Sequence, residues 1–272
     1  RGLGDVYKRQ VKCVKVKGKE GNKVKDMKKY DLFGFQILEF EELDSTNTKA
    51  AELLKGGLED RSVVLTFRQT KGKGQVGNSW ESEAGKNISI TVVFRPERLQ
   101  AVQQFAVSMV IALGCRDFIR KYVQGCCVKW PNDVYVGEQK MVGILIEHTI
   151  AGAFIRTSLC GIGININQRQ FYSDAPNPVS LFQLLGKELD IREALKELLE
   201  CIGKRYERIR EDTELRRDYL EALYRKCGDY VWEDASGKFV ASFKGIDEYG
   251  RLVLKDSEGK ERVYGFKEVK FC

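Results

Sequence analysis

The sequence predicts an α+β fold: a mixed, largely antiparallel sheet with flanking helices, followed by a small C-terminal β-barrel. Three observations predict it. β-Branched and apolar runs of strand length recur between residues 36 and 167. Residues 99–123 keep an apolar spacing suited to one long buried helix. Beyond residue 229, short strands alternate with turns at Ser236-Gly237, Tyr249-Gly250 and Glu258-Gly259, the spacing of a barrel of about five strands. Internal repeats, low-complexity tracts and coiled-coil heptads are absent from the sequence.

The elements follow in order. "QILEFEEL" (36–43) reads as a strand. In "DSTNTKAAELLKGG", Ser45 or Thr46 can cap a helix that ends at Gly56-Gly57. "SVVLTFRQ" (62–69) is a β-branched strand, and a loop with four glycines, "TKGKGQVGNSWESEAGKN", separates it from the strand "ISITVVF". After the long helix, "KWPNDVYVGEQKMVGILIE" (129–147) supplies two strands around a turn at Gly137. "FIRTSLCGIGININ" is a further strand with a Gly-rich tip. An Asp190/Glu193 capping box opens a surface helix, and another helix runs near Thr213–Tyr224. The expected division is a tail over 1–26, a catalytic unit over 27–226 and the small barrel over 227–272.

Composition bounds the function. The 272 residues are 43% hydrophobic and 31% charged, ordinary for a globular protein. No apolar run reaches the roughly 18 residues of a membrane span, and the N-terminus lacks the apolar core of a secretory signal. Of eight cysteines none forms a C-x-x-C pair, and His148 is the one histidine, which disfavours a zinc site and a Cys–His nucleophile. The cysteines read as reduced, small apolar residues. The net charge of +7 invites a nucleic-acid-binding reading, yet residues 1–26 alone carry nine Lys/Arg against three acids. Within them "DVYKRQ" (5–10) resembles translated sequencing-adapter DNA. Residues 1–26 are therefore set aside as an artefact or disordered tail, and a chain starting at Met27 is expected to keep its activity and stability.

Three stretches carry chemistry. Alternating glycines in Gly72-Lys73-Gly74-Gln75-Val76-Gly77 let backbone N–H groups approach an anion, and Lys73 adds charge. Taken alone, this reads first as a flexible surface loop. It is not a P-loop, because no Gly-Lys-Ser/Thr follows and no helix opens there. Trp80, at its end, offers a flat face to a ring or else anchors the core. In the second stretch, Lys129 and Lys140 flank a tight turn, with Asn132 and Asp133 between them. Two ammoniums and one carboxylate suit a phosphate-bearing ligand accompanied by a divalent ion, where a plain hairpin would leave both lysines solvated. In the third, Gly161-Ile162-Gly163 marks close backbone approach or a bulge, and Asn165 and Asn167 project to one face.

Taken together and in this order, "LDSTN" (43–47), "QTKGKGQVGNSW" (69–80), "GKNIS" (85–89), "KWPNDVYVGEQKMVGILIE" (129–147) and "GIGININ" (161–167) resemble the biotin–protein ligases. The tail "FKGIDEYGRLVL" (243–254) is similar to that family's C-terminal SH3-like barrel, and the resemblance covers about residues 35–272. It implies a class II synthetase-like catalytic domain of the biotin/lipoate ligase type. It also implies an enzyme that converts biotin and ATP to biotinyl-5′-AMP and transfers biotin to one lysine of a biotin carboxyl carrier domain. The nucleophiles belong to the substrates, in keeping with the missing Cys–His pair.

By motif position, the resemblance gives Ser45, Thr46 and Gln69 to the ureido ring of biotin, with backbone at Gly72, Lys73, Gly143, Gly161 and Gly163 lining the pocket. Lys140 would hold the reacting carboxylate and the α-phosphate, its only evident partner being that anion, and Lys129 would assist. Trp80, Asn132 and Asn165 would surround adenine, Lys73 and Gln75 would face the adenylate, and Asp133 would orient the incoming lysine. Mg²⁺ would accompany ATP; no resident metal ligand and no tightly bound prosthetic group are implied. The expected location is the cytoplasm, with no membrane or nucleic-acid partner. Many members carry Gly-Arg-Gly-Arg-x-Gly-Arg in the loop; the three Arg slots here hold Lys73, Gln75 and Asn78, which removes a long cation at Gln75. The residues before "DSTN" hold no helix-turn-helix pattern, so a repressor role is not expected. The rival enzyme is a lipoate–protein ligase; the Lys-Trp-Pro-Asn-Asp run and the C-terminal barrel favour biotin. The non-enzyme rival is a nucleic-acid-binding module.

Overall fold

The computed structural model describes residues 27–75, 78–173 and 175–272. The expectations for residues 1–26, and for Val76 and Gly77 of the glycine loop, lie outside the described residues. A hairpin opens the fold: β1 (Met27–Leu32) and β2 (Phe35–Phe40) turn at Phe33-Gly34. Then come α1 (Thr46–Leu54), β3 (Ser62–Thr66), a two-residue ladder of β4 (Gly72–Lys73) with β5 (Ser79–Trp80), and β6 (Ile88–Phe94). A 3-10 turn at Ala101–Gln103 leads into α2 (Phe105–Ile119). Next are β7 (Cys126–Lys129), β8 (Asp133–Val136), β9 (Gln139–Ala151) and β10 (Phe154–Ile164). The helices α3 (Leu181–Leu185), α4 (Ile191–Glu207) and α5 (Asp212–Ala222) follow. The chain ends in β11 (Asp229–Asp234), β12 (Gly237–Ile246), β13 (Leu252–Asp256), β14 (Glu261–Tyr264) and β15 (Lys270–Phe271).

Among the described residues the main sheet has eight strands in the order β1-β2-β3-β6-β10-β9-β8-β7. Only β2 and β3 run parallel, because α1 crosses between them; the other neighbours are antiparallel. The predicted mixed, largely antiparallel sheet is thus observed. The second sheet is antiparallel, with five strands in the order β14-β13-β12-β11-β15, as the C-terminal turn spacing predicts.

Strand register decides which side chains meet. On β6, Ile88, Ile90, Val92 and Phe94 join the larger core with α2 and α4. The intervening Ser89, Thr91 and Val93 face the α1 side. Paired opposite them on β10 are Gly163, Gly161 and Leu159. Gly143 of β9 pairs with Gly163 in turn. The strands are therefore apolar on the helix face and small on the other, which leaves a hollow above the glycines.

Helix α2 is apolar on nearly every side because it is the central layer. Against the expectation that no run reaches the length of a membrane span, the stretch Ala101–Ile119 is long and apolar enough by length and composition, and it lies mostly buried inside the fold. Gly114 meets Ile202 of α4 so closely that a Cβ there would lie 2.8 Å from the Ile202 Cα. The second sheet is tied to this core by Trp130 Nε1, which donates to Gly250 O at 2.9 Å, and by Arg216 Nη1, which donates to Asp247 O at 2.9 Å. Asp190 caps α4 as expected, accepting from Arg192 N and Glu193 N, while Glu193 pairs with Lys196.

Candidate active site

A cleft of about 760 Å³ opens on the glycine face of the sheet. Its floor is set by three close approaches. A Cβ on Gly143 would stand 2.5 Å from the Trp80 ring, and one on Gly163 would stand 2.3 Å from it. A Cβ on Gly161 would stand 2.2 Å from Asn47 Oδ1. Glycine at these positions thus admits the indole and the amide directly onto the backbone. The ladder of β4 with β5 brings Trp80 there, with Gly72 opposite it. Trp80 Nε1 is buried without a protein partner, a state costing on the order of 1–3 kcal/mol unless a ligand accepts from it.

One end wall is the start of α1. Ser45 is its N-cap residue, yet its side chain makes no capping bond. Gln69 does this work instead: its Oε1 accepts from Thr46 N at 3.0 Å. Thr91 Oγ1 donates to Asn47 Oδ1 at 2.6 Å and lies 2.9 Å from Thr46 Oγ1. Asn47 Nδ2 donates to Glu147 Oε2 at 2.9 Å. Asn47, Thr91 and Glu147 were not singled out in the sequence. The signal was available for Asn47, which closes the "LDSTN" run and lines the cleft, but Thr91 and Glu147 reach it only through their hydrogen bonds to Asn47, which strand register sets up.

The other end is charged. Lys140 Nζ lies 2.5 Å from Asp133 Oδ2, which corrects the expectation that Lys140 has no partner but the substrate. The cause is an irregularity between Val134 and Tyr135, which puts Lys140 opposite Tyr135 and on the side of Asp133. Asp133 Oδ1 also accepts from Ile144 N at 3.4 Å. Lys129, paired with Asp133 across β7 and β8, makes no ion pair among the described residues. Its ammonium sits among rings, 4.7 Å from the Tyr135 centroid and 4.9 Å from that of Phe271. Burial holds its pKa below the usual lysine value, against the attraction of Asp133. With Lys140 neutralised by Asp133, the uncompensated positive charge of the cleft comes from Lys129 and Lys73.

The structure therefore brings Ser45, Thr46, Gln69, Lys73, Gln75 and Trp80 to one cleft with Lys129, Asp133 and Lys140 and the three floor glycines. Asn132 faces a neighbouring cavity of about 250 Å³, where Gln75, His148, Tyr249 and Arg251 also lie. Its Oδ1 is buried without a partner. His148 Nδ1 lies 2.8 Å from Ser158 Oγ, and burial keeps the ring's pKa below the usual histidine value. Asn165, one residue past the end of β10, lines neither cavity; its Nδ2 donates to Val179 O at 3.1 Å, and its Oδ1, like that of Asn132, is buried without a partner among the described residues. Asn167 is likewise spent on Leu189, accepting from its N–H and donating to its carbonyl.

Cys115, Cys126, Cys127, Cys160 and Cys201 line neither cavity, and burial pushes the Cys126 thiol up to about 12. Among the described residues no group of three His, Cys, Asp or Glu is placed to hold a metal ion.

Comparison with known proteins gives two family matches: the Biotin/lipoate A/B protein ligase family over residues 39–165, and the Biotin protein ligase C terminal domain over residues 233–267. The chain is similar to the Bifunctional ligase/repressor BirA of Bacillus subtilis (strain 168), 27% identical over 257 residues, covering 87% of this chain and 74% of the relative. It is 28% identical to the Biotin--[acetyl-CoA-carboxylase] ligase of Paracoccus denitrificans, covering 81% and 94% of the two chains. Among solved structures, the biotin protein ligase from Aquifex aeolicus in complex with biotin and ATP shares the fold. Its TM-score is 0.72 at 23% identity, covering 87% of this chain and 99% of that one.

Proposed function

The chain belongs to the biotin protein ligase family, and from that premise we propose how its cleft works. It is an ATP-dependent ligase that activates biotin as biotinyl-5′-AMP and transfers it to protein. The acceptor is a lysine of a biotin carboxyl carrier domain. The observation that carries the reading of the cleft is the juxtaposition of a glycine floor under Trp80 with the Lys140–Asp133 pair. An apolar, narrow slot for a fused ring system leads directly to a charged end where an anion can react.

Biotin enters with its ureido ring toward Ser45, Thr46 and Gln69, where Asn47 adds a fixed amide. Gly143 and Gly163 let the Trp80 indole lie close against the bicyclic ring. The valerate carboxylate then extends toward Lys140. One carboxylate oxygen attacks the α-phosphorus of ATP, the bond to the bridging oxygen of the β-phosphate breaks, and pyrophosphate leaves. Charge accumulates on the α-phosphoryl oxygens during this step, and preorganised ammoniums stabilise it in a water-poor site. Asp133 keeps Lys140 extended before substrates arrive, and Lys129 supplies net positive field. The open Oδ1 of Asn132 accepts from the adenine amino group in the neighbouring cavity. In the second step the carrier lysine nitrogen attacks the acyl carbon and AMP leaves. Asp133 takes up or orients the proton lost from that nitrogen.

Mg²⁺ enters as part of the MgATP substrate. Asp133 is the carboxylate that the cleft offers near it. Buried reduced thiols and the need for ATP support a cytoplasmic setting. The test measures pyrophosphate release from ATP with biotin, with lipoate and with neither, followed by the mass of a carrier domain. Biotin-dependent release and a single biotinyl adduct on the carrier are expected. Release that prefers lipoate, or no acid-dependent release, overturns the reading.

A further inference from the structure

Lys129 is held in an unusual way for a lysine in a phosphate-handling cleft. No carboxylate pairs with it among the described residues, since the nearby Asp133 is engaged by Lys140. Three aromatic rings surround its ammonium: Tyr135 at 4.7 Å, Phe271 at 4.9 Å and Tyr224 at 5.9 Å to the centroids. Tyr135 belongs to β8, beside the cleft. Tyr224 and Phe271 come from much later in the chain, and neither lines the cleft. Both are locked in place. Tyr224 N donates to Val128 O at 2.9 Å, beside Lys129 itself. Phe271 pairs with Trp232 across β15 and β11, and their ring centroids are 4.6 Å apart. Cys272 N donates to Val231 O at 3.2 Å, and Arg225 Nη1 donates to Cys272 O at 2.6 Å, so the last strand is fastened on both sides.

We propose that Phe271 and Tyr224 are positioning residues for adenylate formation, acting through the Lys129 ammonium. The physical case rests on what a ring cage does that a carboxylate does not. A carboxylate would fix Lys129 but cancel its field. The π faces attract the cation without neutralising it and accept none of its N–H donors in a conventional hydrogen bond. The Lys129 ammonium is thus left uncancelled by a carboxylate partner of its own while its flexible stem is immobilised. Through Phe271 the C-terminal sheet acts on the charged end of the cleft by way of the Lys129 ammonium. This inference rests on the ligase reading of the cleft and adds the route by which the C-terminal strand enters the reaction.

The experiment uses the full chain and compares Phe271→Leu, Phe271→Tyr and Tyr224→Leu in steady-state pyrophosphate release. Phe271→Leu keeps apolar volume and loses the π face. Its kcat/KM for MgATP is expected to fall by about 3- to 10-fold, with KM for biotin and the melting temperature unchanged. Phe271→Tyr restores the value. Replacing Phe271 by mono-, di- and trifluorophenylalanine lowers kcat/KM in steps, because fluorine drains the ring face without changing its packing. In a Lys129→Met background, Phe271→Leu has no further effect. Wild-type kcat/KM in Phe271→Leu, no gradient in the fluorinated series, or an equal loss in the Lys129→Met background would each overturn the proposal. Wild-type protein that releases no pyrophosphate with biotin overturns the ligase reading, and this proposal with it. Active wild-type protein with an unaffected Phe271→Leu variant overturns this proposal alone.

Discussion

Lys140 Nζ and Asp133 Oδ2 lie 2.5 Å apart across the β8–β9 turn, so the lysine nearest the expected reaction centre is already paired. The two members of this pair then separate by half-reaction. Lys140→Ala is expected to lower biotin-dependent pyrophosphate release by more than about 100-fold, the scale of removing one preorganised charge. Asp133→Asn is expected to lower carrier labelling more than pyrophosphate release, because its second role concerns the incoming lysine. Equal losses in the two steps for Asp133→Asn would remove that role, and a folded Lys140→Ala variant with near-normal adenylation would remove the first.

The floor glycines make a steric prediction. Gly163→Ala puts a methyl group 2.3 Å from the Trp80 ring, and the ring must move. Biotin affinity by calorimetry is expected to weaken at least about tenfold, with overpacking of about 1–3 kcal/mol relieved only if the indole swings away. Combining it with Trp80→Leu gives less than the sum of the two losses, since one residue is the obstacle to the other. Strict additivity would show that the two do not meet.

The glycine loop has little to pack on. Its described part is held by a ladder of two residue pairs, by Gly74 N donating to Asn78 O at 3.0 Å and Asn78 N to Gln75 O at 2.7 Å, and at its start by Thr70 and Lys71 bonding to Leu43 and Asp44. Lys71 and Lys73 are exposed trypsin sites. Cleavage there is expected to be fast in the free protein and slowed by biotin with ATP, because a ligand packed against Trp80 anchors the ladder. Identical cleavage rates in the two conditions would count against the loop as part of the binding site.

Glu39 supplies a pH prediction away from the cleft. Its buried carboxylate accepts from Arg192 Nη2 at 2.8 Å, from Arg192 Nη1 at 3.0 Å and from the Tyr30 hydroxyl at 2.9 Å. Burial alone would raise its pKa, but the Arg192 and Tyr30 bonds outweigh it and hold the carboxyl below the usual range. A depressed folded pKa means stability that is present above the unfolded value, about 4.3, and is lost as pH falls through the lower folded value. Glu39→Gln should cost about 2 kcal/mol at pH 7 and flatten the stability profile below pH 5, read by urea denaturation. An unchanged acid limb would mean that Glu39 does not titrate with folding.

The main sheet was legible because its strands are β-branched runs with clear turns. β1 was not, since Lys28, Lys29 and Asp31 break its apolar pattern and only Tyr30 is buried, as suits an edge strand. α3 was missed because one turn and a half gives no period; Ser180 and Gln183 cap it reciprocally, and Gly186 ends it at φ 69°. In the site, the glycine motifs were visible as motifs, but their occupants were not. Only register shows that Trp80 lies on Gly143 and Gly163, whereas its sequence position left its partner open. For Asn165, one residue past the end of β10, the motif named the residue but not the direction of its amide, whose Nδ2 donates to Val179 O.

The pairing of Gly143 with Gly163 beneath Trp80 makes the pocket a test of completed folding. Its walls draw on Ser45, Gln69, Trp80, Lys140, Gly163 and Phe266, so no short contiguous fragment contains it. Contacts of such sequence separation close late, when the entropy of the intervening chain has been spent. Biotin can therefore select only the fully assembled sheet, and by mass action it stabilises all the strands at once. A chain opened at the exposed β9–β10 turn, between Ala151 and Phe154, would part Gly143 from Gly163. Neither half would retain the vitamin, and its recovery on mixing would report reassembly directly, a complementation switch with the cofactor as its ligand.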